Sequence, residues 1–434
     1  MANISNITET AVIDESQLKG KSLLFPFILV VCLFFLWGMA HNLDSILIPH
    51  LKKACQLNNR QSTYIDMAVF FAYFLMAIPA GMLLKKFGYK NSIIIGLILF
   101  ACGALLFIPA ANTLTYGLFI TGLFIIGCGL ATLETAANPY SAILGDPAKS
   151  TYRLNLAAFF NGVAAPVAGF VGTTFILSGK DYTKEQLAAM TDINRHAYLL
   201  HEASAVKLPY IILAIVLIAV AILFKFSYLP EIKNVSKEET TGGKFFGALR
   251  HKHLAWGVVA QFFYVGAQVC VTSFFIRMAK QGGGFDEKTA GYYYAIYGLL
   301  FMGGRFVGTL LLRFIKSQRL LTLYALISIA LCLIAIFGKG AYVVYCLGAI
   351  GFFMSIMFPT IFGLAIDGIG DDTKPGSSWL VMSIVGGAIL PYIMAWVIDA
   401  NHDRIQPGYI IPLICFVMVL YYGLHGHKIR KHLA

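Results

Sequence analysis

Long apolar runs alternate with short polar segments along almost the whole chain. A run of about twenty apolar residues, folded as an α-helix that rises about 1.5 Å per residue, is long enough to cross the hydrocarbon core of a bilayer. The pattern therefore predicts an all-α membrane protein with twelve transmembrane spans. Numbered in chain order, the predicted spans are residues 24–49, 62–84, 92–110, 114–143, 153–178, 208–229, 254–279, 288–314, 319–338, 341–366, 376–399 and 408–427.

Most connections between these spans are short, which favours antiparallel packing of spans that are neighbours in the chain. Residues 179–207 form a longer connection, predicted to be an amphipathic surface helix or an ordered flap. Residues 230–253 are polar, contain two adjacent glycines and lie just past the middle of the chain, which is typical of a linker. The predicted organisation is a cytoplasmic N-terminal segment (1–22), a six-helix half (23–229), a cytoplasmic linker (230–253), a second six-helix half (254–427) and a cytoplasmic tail (428–434).

The two predicted halves repeat a common pattern. Span 2 ends in GMLLKKFGYKNS from Gly81, and span 8 ends in GTLLLRFIKSQR from Gly308, so each joins a small residue and an apolar stretch to a basic loop. Two such repeats, related along the membrane normal, predict pseudo-symmetric halves with a solute site between them near the midplane of the membrane. Prolines also recur at corresponding spans, as Pro139 and Pro166 in spans 4 and 5 and as Pro359 and Pro391 in spans 10 and 11.

The composition supports a membrane location. Hydrophobic residues make up 58% of the chain, charged residues 12%, and the mean hydropathy is +0.74, which leaves too little polar surface to face water on all sides. The net charge of +12 does not indicate nucleic-acid binding, because the basic residues cluster in short loops between spans. By the positive-inside rule these loops place both termini in the cytoplasm. The clearest clusters are Lys85, Lys86 and Lys90 after span 2, and Arg313, Lys316 and Arg319 after span 8.

Several classes of function find no support in the sequence. The eight cysteines contain no CxxC pair, so no metal site or disulfide framework is expected. The polar start of the chain has no signal-peptide pattern, so span 1 is expected to stay in the membrane. Neither HExxH, GxSxG nor a Walker A loop occurs. We therefore predict no enzyme and no cofactor, and a transport process that is facilitative or driven by an ion gradient.

Ionisable residues inside membrane spans are costly and are functional candidates by default. Glu134 lies in span 4 within GCGLATLETAANPY, after a long apolar run and without a charged neighbour in sequence. Burial favours the neutral form of a carboxyl group, so this position suits a proton carrier. The alternative is a permanently neutral glutamic acid that forms a hydrogen bond with a neighbouring helix.

A polar cluster of His41, Asn42, Asp44 and Ser45 interrupts span 1. On a helix His41 shares a face with Asp44 and Ser45, which follow it by three and four residues. A polar face at mid-depth is tolerated only where it lines a cavity or packs against a partner, so Asp44 is a second proton-coupling candidate. In the alternative interpretation, Asp44 lies near the outer interface and is solvated.

Two other charged residues fit structural roles better. Arg305 follows two glycines in span 8 and is interpreted as an anchor that reaches toward the membrane interface, with a charge partner as the alternative. Asp66 lies early in span 2, near the predicted outer side, where solvation is expected.

Uncharged polar side chains indicate a site for a sugar. On span 7, Gln261, Tyr264 and Gln268 recur at intervals of three and four residues and therefore share one face. Amides exchange hydrogen bonds with hydroxyl groups, and aromatic rings cover the apolar faces of a pyranose. An aromatic stripe alone is more typical of packing, but the interleaved glutamines favour a binding face. Further amides on spans 4 and 5 are Asn138, Asn155 and Asn161.

Seven segments in chain order carry a family resemblance: FFLWGMAHNLDSILIPHL, IPAGMLLKKFGYK, LETAANPY, RLNLAAFFNG, QFFYVGAQ, FMSIMFPTIF and DTKPGSSWLVM. Together they resemble the L-fucose:proton symporters of the major facilitator superfamily, from about residue 22 to residue 425. The resemblance implies the twelve-helix major facilitator fold and proton-coupled import of L-fucose or a related hexose by alternating access. It also implies a multi-pass protein of the bacterial inner membrane, expected to be a monomer with a sugar, protons and the lipid bilayer as its partners.

The resemblance also assigns residues. Glu134 corresponds to the family's glutamate in span 4, which is implicated in sugar recognition and protonation. Asn161 corresponds to the family's asparagine at the sugar site. The predicted proton-coupling residues are Glu134 and Asp44. The predicted substrate-binding residues are Asn42, Glu134, Asn138, Asn161, Gln261, Tyr264 and Gln268.

The chain departs from the family pattern at two positions. The family reads N-L-N-D-I-L in span 1, whereas here Ser45 takes the position of the acid and Asp44 precedes it. A displacement of one residue turns a side chain by about 100° on an ideal helix. Either a local distortion brings Asp44 to the cavity, or the proton-coupling role falls to Glu134 or to another residue. Ala158 stands where the family's fucose carriers have a glutamine, so the sugar stays open.

The sequence leaves three other functions as alternatives. They are an antiporter of the same fold, a facilitative carrier for another small polar solute, and a membrane sensor that binds a sugar. Sodium in place of protons is also compatible with the residues, because a carboxylate serves either ion.

Overall fold

The computed structural model describes residues 23–56, 59–146, 149–175, 186, 189–229, 245–402 and 404–429. Within these ranges the regular secondary structure is helical throughout. Ten helical stretches are long and apolar enough to cross a bilayer, and one of them, Met67–Thr113, contains two of the predicted spans. Together with the helix Ser150–Phe175 they account for the twelve predicted spans, which confirms the predicted fold class.

The observed bounds differ from the predicted ones by a few residues in most spans. In the first half the helices are Leu24–Ala54 (span 1), Asn59–Leu105 with Phe107–Thr113 (spans 2 and 3), Tyr116–Ile143 (span 4), Ser150–Phe175 (span 5) and Lys207–Phe226 (span 6). In the second half they are Lys252–Ser273 with Phe275–Gln281 (span 7), Glu287–Leu311 (span 8), Ser317–Phe337 (span 9), Ala341–Met354 with Met357–Ala365 (span 10), Thr373–Met382 and Gly386–Ala400 (span 11), and Ile410–Tyr421 (span 12).

Spans 2 and 3 are separated at Gly88 within the long helical stretch Asn59–Leu105. Gly88 has φ 76° and ψ 179°, a conformation that glycine adopts without the steric cost of a Cβ atom. The basic loop predicted after span 2 is therefore a tight turn of the backbone at one residue.

A surface helix, Asp192–Ser204, lies within the long connection predicted between spans 5 and 6. The Thr191 hydroxyl caps it by accepting a hydrogen bond from the backbone N–H of Asn194 over 3.4 Å. Most of its side chains are exposed, and it packs against span 1. The rest of the connection, residues 176–185 and 187–188, lies outside the described residues.

The described end of the predicted linker is a 3₁₀-helix, Phe245–Arg250, that docks on the start of span 11. The ring of Trp379 stacks on Phe245 with centroids 4.7 Å apart, and its Nε1 donates to the Phe245 carbonyl over 3.0 Å. Nearby, the buried carboxylate of Asp372 contacts His251 at 2.9 Å and Arg250 at 3.2 Å. Residues 230–244 of the linker lie outside the described residues.

The outside of the bundle is apolar. On span 6 the side chains of Ile215, Ile218 and Ile222 form an exposed stripe at intervals of three and four residues. A large exposed hydrophobic surface of this kind requires lipid as its solvent.

The two halves meet along a limited set of spans. Span 11 packs against span 2, and spans 8 and 10 pack against span 5. Span 4 also packs against span 11, so the candidate residues of spans 4 and 5 lie on spans that meet the other half, where the repeat pattern predicts the solute site, and span 1 packs on span 5.

Candidate functional site

Glu134 is buried in span 4 and accepts a hydrogen bond from the hydroxyl of Tyr73 on span 2. The distance from Tyr73 Oη to Glu134 Oε1 is 2.6 Å, which is typical of a hydroxyl that donates to a carboxylate. The neighbouring hydroxyls of Thr132 and Thr135 bond back to carbonyls of their own helix. Glu134 is therefore held by a neighbouring helix.

His41 of span 1 adds a third side chain to this pair. Its Nε2 lies 3.2 Å from Tyr73 Oη and 3.8 Å from Glu134 Oε1. Its side chain is 43% exposed, whereas Tyr73 and Glu134 are buried. The His41–Tyr73–Glu134 chain thus joins spans 1, 2 and 4 and runs from an accessible imidazole to a buried carboxylate.

The structure describes the side chains of the other polar residues of span 1 only in part. The side-chain amide of Asn42 is half-buried and donates to the Gly38 carbonyl over 2.7 Å, which leaves its oxygen for another partner. Asp44 and Ser45 lie within the helix Leu24–Ala54, but their side chains, like that of Asp66 in span 2, lie outside the described part of the structure.

Asn161 of span 5 bridges both halves. Its Nδ2 donates to the Phe34 carbonyl of span 1 over 3.1 Å, and its Oδ1 accepts from Arg305 Nη1 of span 8 over 3.2 Å. The approach of span 1 to span 5 depends on Gly38, because a Cβ there would lie 2.5 Å from the Asn161 carbonyl oxygen. Asn161 is therefore fixed from two sides at the interface.

Arg305 is a buried cation that hydrogen bonds with acceptors of both halves. Its Nη1 donates to the Ala158 carbonyl over 2.7 Å and its Nε to the Ser355 carbonyl over 3.0 Å, and its guanidinium lies 4.8 Å from the Phe301 ring centroid. The predicted interfacial anchor is wrong: only 8% of the residue is exposed, and its hydrogen bonds hold it between the halves. Among the described residues, its partners are neutral oxygens.

A break in span 10 supplies acceptors for two of these side chains. The helix Ala341–Met354 ends before Met357–Ala365 begins, and carbonyls at a helix C-terminus have no partner within the helix. The Ser355 carbonyl accepts from Arg305, and the Met354 carbonyl accepts from the Tyr264 hydroxyl over 3.0 Å. The predicted single helix is thus two helices whose junction organises spans 7 and 8.

The predicted face of span 7 is only partly accessible. Gln261 and Tyr264 are fully buried, and Gln268 is half-buried. Among the described residues neither amide atom of Gln261 has a hydrogen-bond partner. An unsatisfied buried amide costs about 1–3 kcal/mol, so a ligand or a water that bonded to Gln261 would be favoured.

The other two amides of spans 4 and 5 have different surroundings. Asn138 is buried beside Pro139, and within the described structure its Nδ2 has no hydrogen-bond acceptor. Asn155 donates to the hydroxyl of Thr360 on span 10 over 3.2 Å. Asn138 thus retains a free donor, whereas Asn155 closes the interface between the halves.

The polar contacts between the halves described above lie near the middle of the spans or toward the basic loops at their cytoplasmic ends. Beyond the contact of Asn155 with Thr360, Arg313 Nη2 donates to the Tyr152 hydroxyl over 2.6 Å beside the loop after span 8. The exposed side of His41 lies on the other side of the bundle, in the outer part of span 1. The described contacts therefore close the cytoplasmic side, and the partly exposed His41 side chain lies away from them, in the outer half of span 1.

Sequence reasoning missed two members of this site. Nothing in the sequence marked Tyr73 as a site residue, because a tyrosine in an apolar helix is usually a packing residue. His41 was noticed only as a neighbour of Asp44 on the same face. Arg305 was noticed, but its partner Asn161 belongs to the other half of the chain, and no local pattern connects them.

Comparisons with known proteins identify the family of this chain. The family model of the Major Facilitator Superfamily matches residues 27–391. The L-fucose-proton symporter of Escherichia coli (strain K12) is 39% identical over 430 residues, 98% of each chain. The glucose/galactose transporter of Brucella abortus biovar 1 (strain 9-941) is also 39% identical, over 91% of this chain and 92% of its own. The crystal structure of the transporter FucP in the outward conformation matches with a TM-score of 0.87 and 40% identity, covering 93% of this chain and 99% of that one. The chain therefore belongs to the major facilitator superfamily and, within it, to the family of the L-fucose:proton symporters.

Proposed function

We propose that this protein is a proton-coupled symporter that imports L-fucose or a related hexose across the bacterial inner membrane. The observation that carries the proposal is the buried carboxylate of Glu134, hydrogen-bonded to Tyr73 at 2.6 Å and located 3.8 Å from the partly exposed His41. We propose that this carboxyl group takes up and releases the coupled proton.

The proton step follows from the cost of burying charge. An unprotonated Glu134 is stabilised by the Tyr73 hydroxyl, but closing the outer side would remove the remaining water from around the charge. Protonation neutralises the carboxyl group and lowers this cost, so the loaded carrier reorients. Release of the proton to the cytoplasm, where the pH is higher, then resets the site. Asp44 stays a second candidate for this role.

The sugar would bind between the two halves. Asn161 and Asn42 from the first half, with Asn138 and Glu134 of span 4, would exchange hydrogen bonds with sugar hydroxyls. Gln261, Tyr264 and Gln268 would complete the site from span 7. Because Asn161 is bonded to Arg305, a sugar hydroxyl that binds Asn161 changes a contact that joins the halves. Sugar binding is thereby linked to the rocking of residues 23–229 against residues 254–427, in a carrier that we propose acts as a monomer without nucleic-acid partners.

Relatives of this chain are named for different sugars, so the sugar that it carries has to be determined. One relative at 39% identity is named for L-fucose and another at 39% for glucose and galactose. Ala158 lacks the amide that the fucose carriers have at this position, and it lies beside Asn161 with its carbonyl bonded to Arg305. The proposal therefore includes L-fucose, glucose and galactose as substrates to be ranked.

The test is uptake of labelled L-fucose, glucose and galactose into proteoliposomes with an imposed inward proton gradient. Accumulation above the external concentration that a protonophore abolishes supports symport, and competition by unlabelled hexoses ranks the sugars. Uptake that equilibrates without exceeding the external concentration, with or without the gradient, would indicate a facilitative carrier and contradict the proposal. A sodium gradient in place of the proton gradient serves as the control for the coupling ion.

A further inference from the structure

We propose that His41 is the proton-relay residue of this carrier, which exchanges protons with water on the outer side and passes them through the Tyr73 hydroxyl to Glu134. The inference rests on the proposed function and deepens it, because it gives the outer proton step a path and a residue other than a carboxylate.

The distances define the order of the relay. His41 Nε2 lies 3.2 Å from Tyr73 Oη, and Tyr73 Oη lies 2.6 Å from Glu134 Oε1, both within hydrogen-bond range. His41 Nε2 and Glu134 Oε1 are 3.8 Å apart, which is too long for a direct hydrogen bond. The tyrosine hydroxyl is therefore the bridge between the imidazole and the carboxylate.

Burial gives the relay a direction. The His41 side chain is 43% exposed, the Glu134 side chain 6%, and Tyr73 as a residue 1%. Glu134 thus has little contact with water in this conformation, whereas the imidazole is partly accessible. A proton that arrives from outside meets His41 first.

The transfer balances at each atom. Protonated His41 gives its Nε2 proton to the oxygen of Tyr73, while the Tyr73 hydroxyl proton passes to Oε1 of Glu134. One proton leaves the imidazole, one arrives at the carboxylate, and the tyrosine is neutral before and after. An imidazole suits the outer end of this path because it changes charge near neutral pH, so it loads and unloads readily.

The ionisable groups that face His41 or pack around its helix lie on span 1 itself and on the four elements that contact it, which are spans 2, 4 and 5 and the surface helix. Tyr73 and Glu134 face it from spans 2 and 4, and Asp44 follows it on its own helix with a side chain outside the described structure. The described residues of span 5, which packs along span 1, include two ionisable side chains, Tyr152 and Arg153, both in its first turn at the cytoplasmic end. The surface helix that packs on span 1 carries Asp192, Arg195, His196, Tyr198, His201 and Glu202.

The first test compares His41→Gln with the wild type in two assays on proteoliposomes. A pH-sensitive dye records sugar-driven proton uptake, and labelled sugar records equilibrium exchange at equal pH on both sides. Glutamine donates a hydrogen bond to Tyr73 but carries no transferable proton. We expect proton uptake to slow about 100-fold, as for loss of a general acid–base group, while exchange stays within about twofold. His196→Gln, an exposed histidine on the surface helix, is the matched control and should match the wild type.

The second test distinguishes a relay from a packing role. His41→Ala leaves a gap at a partly exposed position, so added imidazole should restore sugar-driven proton uptake. It should not restore uptake in Tyr73→Phe, which lacks the bridging hydroxyl, or in Glu134→Gln, which lacks the acceptor. A structural role for His41 predicts no such rescue.

The outcomes separate the relay from the function on which it rests. If no sugar drives proton uptake in the wild type, the symport proposal itself fails. If the wild type couples and His41→Gln couples at the same rate, the relay is overturned and symport stands. If His41→Ala loses sugar exchange and imidazole restores nothing, His41 is a packing residue and the relay is again overturned.

Discussion

Arg305 of span 8 donates a hydrogen bond to the side-chain oxygen of Asn161 on span 5, over a distance of 3.2 Å. The same guanidinium donates to the Ala158 carbonyl of the first half and to the Ser355 carbonyl of the second. One buried cation therefore joins the halves at the amide that the family resemblance assigns to the sugar. A ligand that competes for Asn161 would act on the equilibrium between the conformations of the carrier.

Arg305→Lys is expected to favour the inward-open conformation. Lysine keeps the positive charge but lacks the planar fork that reaches acceptors on both halves. Loss of a hydrogen bond to a charged group costs about 1.5–3 kcal/mol, which shifts a conformational equilibrium about tenfold or more. The measurement is the maleimide labelling rate of Thr360→Cys, a buried position at the closed cytoplasmic side, in a background without reactive native cysteines. Arg319→Lys, exposed in the first turn of span 9, should leave the rate unchanged, and an unchanged rate in Arg305→Lys would count against the link.

Glu134→Gln should abolish accumulation of sugar against its gradient. The glutamine is similar in shape and still accepts a hydrogen bond from Tyr73, but it cannot bind and release a proton. Uptake into proteoliposomes with an inward proton gradient should therefore stop at the external concentration, while exchange of labelled for unlabelled sugar continues. Asp192→Asn on the exposed surface helix is the control. Normal pH-dependent accumulation in Glu134→Gln would exclude Glu134 as the proton carrier.

Gly38→Ala should destabilise the contact between spans 1 and 5. The added Cβ would meet the Asn161 carbonyl oxygen at 2.5 Å and the Ala164 Cβ at 2.9 Å, so the helices must move apart. We expect a loss of about 1–3 kcal/mol, as for other overpacked positions, and weaker sugar binding through Asn161. Thermal unfolding in detergent, followed with and without sugar, measures both effects. Gly117→Ala, where a Cβ meets no described atom within 4 Å, should be neutral or slightly stabilising.

Ala158→Gln should increase the preference for L-fucose over glucose and galactose. The substitution introduces the amide that the family's fucose carriers have here, next to Asn161 at the interface. One additional hydrogen bond contributes about 0.5–1.5 kcal/mol, which corresponds to a change in relative affinity of up to about tenfold. Competition of unlabelled hexoses against labelled L-fucose measures the ratio. Ala158→Leu adds bulk without an amide, so an equal change in both variants would assign the effect to size alone.

The number of spans, the fold class and the repeat could be predicted from the sequence because lipid is the solvent. Each span must satisfy its own backbone hydrogen bonds and present apolar side chains, so its signal is local. Glu134 was found by the same reasoning, as a charged residue within an apolar run. The break in span 10 at Ser355 was not predicted, although Pro359 lies four residues further on and has no N–H to donate to the Ser355 carbonyl. The free carbonyls at this break accept hydrogen bonds from Arg305 and Tyr264, which come from other spans.

The tertiary structure decided which polar residues meet. Hydropathy sets where each helix lies in the chain, but the rotation of a helix about its axis depends on the packing of its neighbours. That rotation brought His41 to Tyr73 and Tyr73 to Glu134, although the three residues lie on separate spans. By itself the sequence determined a twelve-span carrier with a buried carboxylate. Only the packing of helices from distant parts of the chain determined the partners of that carboxylate, because such contacts leave no periodic trace in any one segment.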